Sequence, residues 1–78
     1  MKNNWLENNN ALIREFKFAD IKSALEFVDR VGALAEGANH HPDIELGWGR
    51  AKVTLTTHSE GKVTDKDYKL AEKINELE

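Results

Sequence analysis

The 78-residue sequence contains no cysteine. This absence excludes disulfide bonds, thiolate nucleophiles and cysteine-ligated zinc, so any chemistry must use histidines, carboxylates or hydroxyl groups. The sequence also lacks a signal-peptide pattern and any apolar run near the roughly 18 to 20 residues that a membrane-spanning helix needs. We therefore expect a cytoplasmic globular protein with no membrane partner.

The sequence also has no stretch of clustered basic residues. The formal net charge is −3, whereas nucleic-acid binding needs a Lys/Arg surface that neutralises phosphates, so nucleic acid is not an expected partner. The length fits a single domain over residues 1–78, and such a small domain buries only about 60% of the surface that its unfolded chain exposes. Because a thin core is often supplemented by association, we predict a homo-oligomer.

The first half of the sequence predicts two strands and a helix. Strands are expected at Asn4–Glu7 and Ala11–Phe18, joined by a turn at Asn8–Asn10. Leu12, Phe16 and Phe18 alternate onto one face, while Ile13 and Arg14 break the alternation. Asp20 is a candidate N-cap, and Gly37 is a candidate αL residue that ends the helix. Its helically spaced apolar residues are Ile21, Ala24, Leu25, Val28, Val31 and Ala35.

The second half predicts a hairpin and another helix. Strands are expected at Ile44–Trp48 and Ala51–His58, with a turn around Gly49–Arg50. Thr64 and Asp67 resemble a capping box that begins the last helix, whose buried stripe is Leu70, Ala71, Ile74 and Leu77. The order ββαββα predicts an α+β fold in which a four-stranded antiparallel sheet carries helices on one face.

Three histidines are the candidate reactive groups, since imidazole exchanges protons near neutral pH. His40 and His41 precede Pro42, which disfavours helical backbone at His41 and predicts an extended loop, while His58 ends a predicted strand. Three histidines can hold zinc. However, adjacent residues of an extended segment point to opposite sides, so a metal site is disfavoured. A serine nucleophile is also disfavoured, because no nucleophile elbow is present.

Other polar and aromatic residues allow two interpretations. Asp67 fits a helix-capping role as well as a site role, and Glu36 is either a solvated residue of the last helical turn or a binding group. Trp5 and Trp48 are more typical of a core or an interface than of a ligand platform.

Several segments together resemble the pterin-4a-carbinolamine dehydratase family. They are Ala35–Pro42 with its His-His-Pro, Thr57–His58, Val63–Thr64 and Asp67–Ala71, and the resemblance extends from about Trp5 to Leu77. It implies the same antiparallel sheet with helices on one face, and association as dimers or tetramers. Two departures are Asn39, where an aspartate is common, and Gly61, one place before the usual glycine.

The resemblance also implies an activity, the loss of water from a 4a-hydroxytetrahydropterin to give a quinonoid dihydropterin during tetrahydropterin recycling. No metal or organic cofactor is implied. The positions that match the catalytic histidines are His40, His41 and His58, with His40 and His58 as the expected proton-transfer pair. Those that match the pterin pocket are Glu36, Asn39, Pro42, Thr56, Thr57, Ser59 and Asp67. The alternative is a pterin-dehydratase-like binding or assembly protein without catalysis, because fold alone does not imply function.

Overall fold

The structure, a computed structural model, describes residues 5–77. Its elements are β1 (Leu6–Asn8), β2 (Ala11–Lys17), α1 (Ile21–Ala38), β3 (Asp43–Gly47), β4 (Arg50–Leu55) and α2 (Asp65–Asn75). The predicted α+β class and ββαββα order are confirmed. Asn4, which we placed in the first strand, lies outside the described residues.

The four strands form one antiparallel sheet in the order β1-β2-β4-β3. Leu12 of β2 pairs with Leu55 of β4, and Thr54 of β4 pairs with Asp43 of β3. The start of β2, the start of β3 and the end of β4 therefore lie at the same end of the sheet. This end, called the histidine end below, receives the loop after α1 and the segment between β4 and α2.

One face of the sheet forms the core with both helices. Its buried residues include Leu12 and Phe16 of β2 and Val53 and Leu55 of β4, at alternate positions. The prediction that Arg14 breaks the alternation was wrong, because its side chain is buried on this same face. Its guanidinium carbon lies 4.3 Å from the centre of the Phe16 ring, an arrangement in which the aromatic face stabilises the cation.

Helix α1 begins as predicted but differs in its buried face and its end. Asp20 caps it by accepting a 2.8 Å hydrogen bond from the Ser23 backbone N–H, which lowers the pKa of the Asp20 carboxyl. Gly37 lies inside the helix, and the αL residue is Asn39, with φ 52°. The buried residues are Ala24, Phe27, Val31 and Ala35, whereas Ile21 and Leu25 are exposed. Ala24, Val31 and Ala35 are therefore buried as predicted, whereas Ile21 and Leu25 were wrongly included and Phe27 was not predicted.

The second hairpin also differs at its boundaries. The turn consists of Trp48 and Gly49, because Arg50 already belongs to β4. Strand β4 ends at Leu55, and His58 lies in a following turn that includes Gly61, with φ 68°. The predicted capping box of α2 is confirmed, with the Thr64 backbone N–H donating to Asp67 Oδ2 at 2.9 Å.

Candidate active site

His40 is the least exposed of the three histidines, with 11% of its side chain accessible. The backbone N–H of His40 donates to the Ala35 carbonyl at 3.1 Å, immediately after the αL residue Asn39. Asn readily adopts this conformation, which turns the chain back against the end of α1. His40 Nε2 consequently lies 2.5 Å from Asp67 Oδ1, at the start of α2.

Asp67 is wholly buried and both of its carboxylate oxygens are in use. Oδ1 contacts His40, while Oδ2 accepts from the Thr57 hydroxyl at 2.8 Å and from the Thr64 backbone N–H at 2.9 Å. The hydroxyls of Thr57 and Thr64 are themselves 2.7 Å apart. The same carboxylate therefore caps α2, as predicted, and contacts His40.

This contact determines which ring nitrogen of His40 is available. An ionised carboxylate only accepts hydrogen bonds, so the hydrogen between the two groups belongs to His40 Nε2. Nδ1 has no hydrogen bond within residues 5–77, and no buried side-chain nitrogen or oxygen in that range lacks a partner. Nδ1 therefore remains accessible to solvent or to a ligand.

The other two histidines lie on the surface at the same end of the sheet. His41 Nε2 lies 2.8 Å from Glu36 Oε2, and 58% of the His41 side chain is exposed. His58 Nε2 lies 3.9 Å from Asp43 Oδ2, a contact that joins the turn after β4 to the start of β3. His40 and His41 are thus each within hydrogen-bond distance of a separate carboxylate, whereas the largely exposed His58 and Asp43 form only a longer ion-pair contact.

The remaining predicted binding residues surround this end in different ways. Thr56 donates its hydroxyl to the Asn10 carbonyl at 2.8 Å, which ties the end of β4 to the β1–β2 turn. Thr57 is buried and its hydroxyl is used by Asp67, whereas Ser59 is exposed. Asn39 is exposed and Pro42 is half-buried on either side of the His40–His41 pair.

Two cavities open at the histidine end. A cavity of about 290 Å³ is lined by Thr57, Ser59, Glu60, Thr64, Asp65 and Lys66. A neighbouring cavity of about 150 Å³ is lined by Ala38, His40, Lys66, Lys69, Leu70 and Lys73. A larger cavity of about 440 Å³ lies around Phe16 and Phe18, toward the other end of β2, and has no histidine in its lining. We assign the candidate site to the histidine end, because acid–base groups converge there.

Asp43, Thr64 and the α2 lysines were not predicted from the sequence to lie in this region. Only the capping box and the i, i+3, i+7 spacing of Lys66, Lys69 and Lys73 could have indicated them. Among residues 5–77, no three His, Asp or Glu side chains are grouped so as to hold a metal ion. That range likewise contains no helix that is long and apolar enough to cross a membrane. Fold and site together define a small α+β protein with a candidate histidine–carboxylate site.

Comparison with known proteins identifies the family to which this chain belongs. The family model for pterin 4 alpha carbinolamine dehydratase matches residues 1–77. A relative from Metallosphaera sedula is 49% identical over 75 residues, covering 96% of this chain and 78% of that protein. A relative from Chloroflexus aggregans is 47% identical over 72 residues, covering 92% and 77%. Both carry a provisional name as pterin-4-alpha-carbinolamine dehydratases. The chain belongs to the pterin-4a-carbinolamine dehydratase family.

Two solved structures have the same fold. A protein from Brucella melitensis, described as a transcriptional coactivator/pterin dehydratase, superimposes with a TM-score of 0.89 at 39% identity, covering 94% of this chain and 80% of that one. A pterin dehydratase-like protein, described as a RuBisCO assembly factor in the alpha-carboxysome, gives a TM-score of 0.80 at 23% identity, covering 96% and 89%. At 23% identity, the similarity to the second protein is evidence for a shared fold only.

Proposed function

We propose that this protein eliminates water from a 4a-hydroxytetrahydropterin and releases a quinonoid dihydropterin. The observation that supports this most directly is the pairing of His40, His41 and His58 with separate carboxylates at one end of the sheet. A hydrogen bond to a carboxylate, as at His40 and His41, orients an imidazole ring for proton transfer, the chemistry that this elimination requires. Family membership supports the same reaction class. The proposed enzyme is cytoplasmic and acts in tetrahydropterin recycling.

The elimination needs one base and one acid. In our proposal His40 removes the proton from N5 of the pterin through its free Nδ1, and Asp67 stabilises the imidazolium that forms. The N5 lone pair then expels the 4a-hydroxyl as the C4a–O bond breaks. His58, in its protonated form, gives a proton to this hydroxyl, so that water leaves. His41 orients the substrate, and no metal or organic cofactor takes part.

Substrate recognition is assigned to groups that border the histidines. Glu36 is exposed and accepts from the planar amide edge of the pterin, while the Thr56–Ser59 segment contributes backbone groups. Asn39 and Pro42 shape the loop that carries the two adjacent histidines. Because the hydroxyls of Thr56 and Thr57 already hold the Asn10 carbonyl and Asp67, these two threonines support the site instead of binding substrate through their hydroxyls.

Stopped-flow measurement of 4a-hydroxytetrahydropterin dehydration tests this proposal. His58→Ala should lower the rate by about 10²-fold or more, since a positioned acid or base contributes roughly 10²- to 10⁴-fold. His40→Gln keeps an N–H donor for Asp67 but has no ring nitrogen for N5, and we expect a similar loss. The double variant should lose little more than the worse single variant. Full activity in both variants, or loss of activity with EDTA that zinc restores, would contradict the mechanism.

The second candidate function is a binding or assembly role without catalysis. The observation that favours it is the exposure of Trp48, 74% of which is accessible at the tip of the β3–β4 hairpin. Tryptophan is enriched among the residues that contribute most of the binding energy at protein interfaces. We propose that this surface serves self-association into a homodimer or homotetramer. If the unsubstituted protein did not accelerate dehydration while Trp48→Ala abolished capture of a partner protein, the assembly role would replace the enzymatic one.

A further inference from the structure

Helix α2 presents a row of lysines beside His40. Lys66, Lys69 and Lys73 are spaced three and four residues apart, which places them on one face of the helix. All three line the 150 Å³ cavity that His40 also lines. This concentration of positive charge contrasts with the chain as a whole, whose formal net charge is −3.

These lysines have no anionic partner in the part of the chain that the structure describes. The ion pairs found there involve Lys17, Arg50 and the three histidines, and no carboxylate oxygen lies within 4.0 Å of Nζ in any of the three α2 lysines. Asp67, which contacts the cavity residue His40, is buried and already engaged by its own donors. Three like charges on one face repel one another, and an anion between them would remove that repulsion.

The size and lining of this cavity indicate what it can hold. Ala38 and Leu70 supply apolar surface, and the lysines and His40 supply the polar groups. A volume of about 150 Å³ is well below the roughly 300 to 1,000 Å³ typical of pockets for drug-sized ligands. It therefore suits a small charged group rather than a whole pterin or a macromolecular surface.

We propose that the cavity between the end of α1 and the lysine face of α2 binds a phosphate group. Lysine ammonium groups form strong charge-assisted hydrogen bonds with phosphate oxygens. The group comes either from a phosphorylated side chain of the pterin substrate or from free inorganic phosphate. The first source rests on the proposed function, whereas phosphate binding itself does not depend on dehydratase activity. In either case the anion lies directly beside His40.

Isothermal titration calorimetry with inorganic phosphate tests the site without reference to catalysis. The test variant is K69Q/K73Q, and the matched control K22Q/K52Q removes two positive charges from α1 and β4. Ionic strength is held constant, and far-UV circular dichroism verifies folding of both variants. We expect the test variant to bind phosphate at least about 10-fold more weakly than the unsubstituted protein, and the control to change less than about 2-fold. Equal weakening in both variants, or no binding of phosphate at millimolar concentration, would overturn the proposal.

A second arm identifies the source of the phosphate. Binding of 6-hydroxymethylpterin is compared with binding of its phosphate monoester, in the unsubstituted protein and in K69Q/K73Q. A phosphate-dependent gain in affinity that disappears in the variant supports the substrate side chain as the source. Phosphate binding without such a gain supports free phosphate. If dehydration fails but phosphate binding is lost selectively in K69Q/K73Q, the proposed function falls and the phosphate site stands.

Discussion

Replacement of Asp67 by asparagine changes the most connected side chain of the candidate site. The variant keeps the shape of the carboxylate but removes its charge and exchanges one acceptor oxygen for an NH₂ group. That oxygen currently accepts from His40, or from Thr57 and the Thr64 backbone, in a fully buried position. If the NH₂ group faces Thr57 and the Thr64 backbone, a donor faces a donor; if it faces His40, the ring can accept from it only as the tautomer that carries its hydrogen on Nδ1, the atom assigned as base.

The magnitude follows from these contacts. Hydrogen bonds to charged groups contribute about 1.5 to 3 kcal/mol and neutral ones about 0.5 to 1.5, while an unsatisfied buried donor costs about 1 to 3. Together these terms predict that Asp67→Asn lowers the free energy of unfolding by about 2 to 5 kcal/mol. A chain of 78 residues has a total stability of about 4 to 12 kcal/mol at typical values per residue. The variant therefore keeps a positive free energy of unfolding over most of these two ranges.

Asp65 supplies the matched control, because it also lies in the first turn of α2 but is exposed. Asp65→Asn should lose only the favourable interaction with the helix dipole, about 0.3 to 1 kcal/mol. Urea denaturation compares the two variants, and stopped-flow dehydration is measured under conditions where both are folded. We expect Asp67→Asn to slow dehydration by about 10²-fold, the loss that a misplacement of about 1 Å can cause.

The two readouts can refute the reasoning separately. If Asp67→Asn and Asp65→Asn cost the same free energy of unfolding, the buried network contributes nothing beyond the helix dipole. If Asp67→Asn is destabilised but retains the full rate once folded, Asp67 caps α2 without positioning His40. The first outcome would contradict the energetic argument and the second would contradict the assignment of His40 as base.

Three further predictions concern other parts of the molecule. Asn75→Ala removes an acceptor shared by a tryptophan and an arginine, at 2.8 and 2.6 Å, so urea denaturation should show a loss of about 1 to 3 kcal/mol; an unchanged midpoint would contradict this. The hydrogen bond from the Tyr68 hydroxyl to Glu7 raises the pKa of Tyr68. The stabilisation that this bond gives the folded protein should be present below the pKa of tyrosine in the unfolded chain, about 10, and should be lost as the pH rises through the pKa of Tyr68 in the folded protein. Tyr68→Phe should abolish that part of the pH dependence of unfolding. Trp48→Ser should change the free energy of unfolding by less than about 0.5 kcal/mol, but the molecular mass measured by light scattering should fall toward that of one chain. A single-chain mass for the unsubstituted protein would refute self-association.

Much of the fold follows from the sequence because its determinants are local. Alternation in Ala11–Lys17 and the Asp20 and Thr64 caps each act within a few residues, and they predicted the element order that the structure confirms. The end of α1 was misplaced because either Gly37 or Asn39 can adopt αL backbone. In the structure Asn39 adopts it, and the backbone N–H groups of Asn39 and His40 both donate to carbonyls of the last helical turn.

The sequence by itself also determined which residue types were available for chemistry, since without cysteine the three histidines were the natural candidates. Only the tertiary structure decided what each histidine contacts. His40 and Asp67 are 27 positions apart, and they meet because α1 and α2 converge at one end of the sheet. The burial of Arg14 has the same origin, since its partner Asn75 is 61 positions away. Contacts of this kind depend on how helices pack on the sheet, and no local pattern of residues encodes that packing.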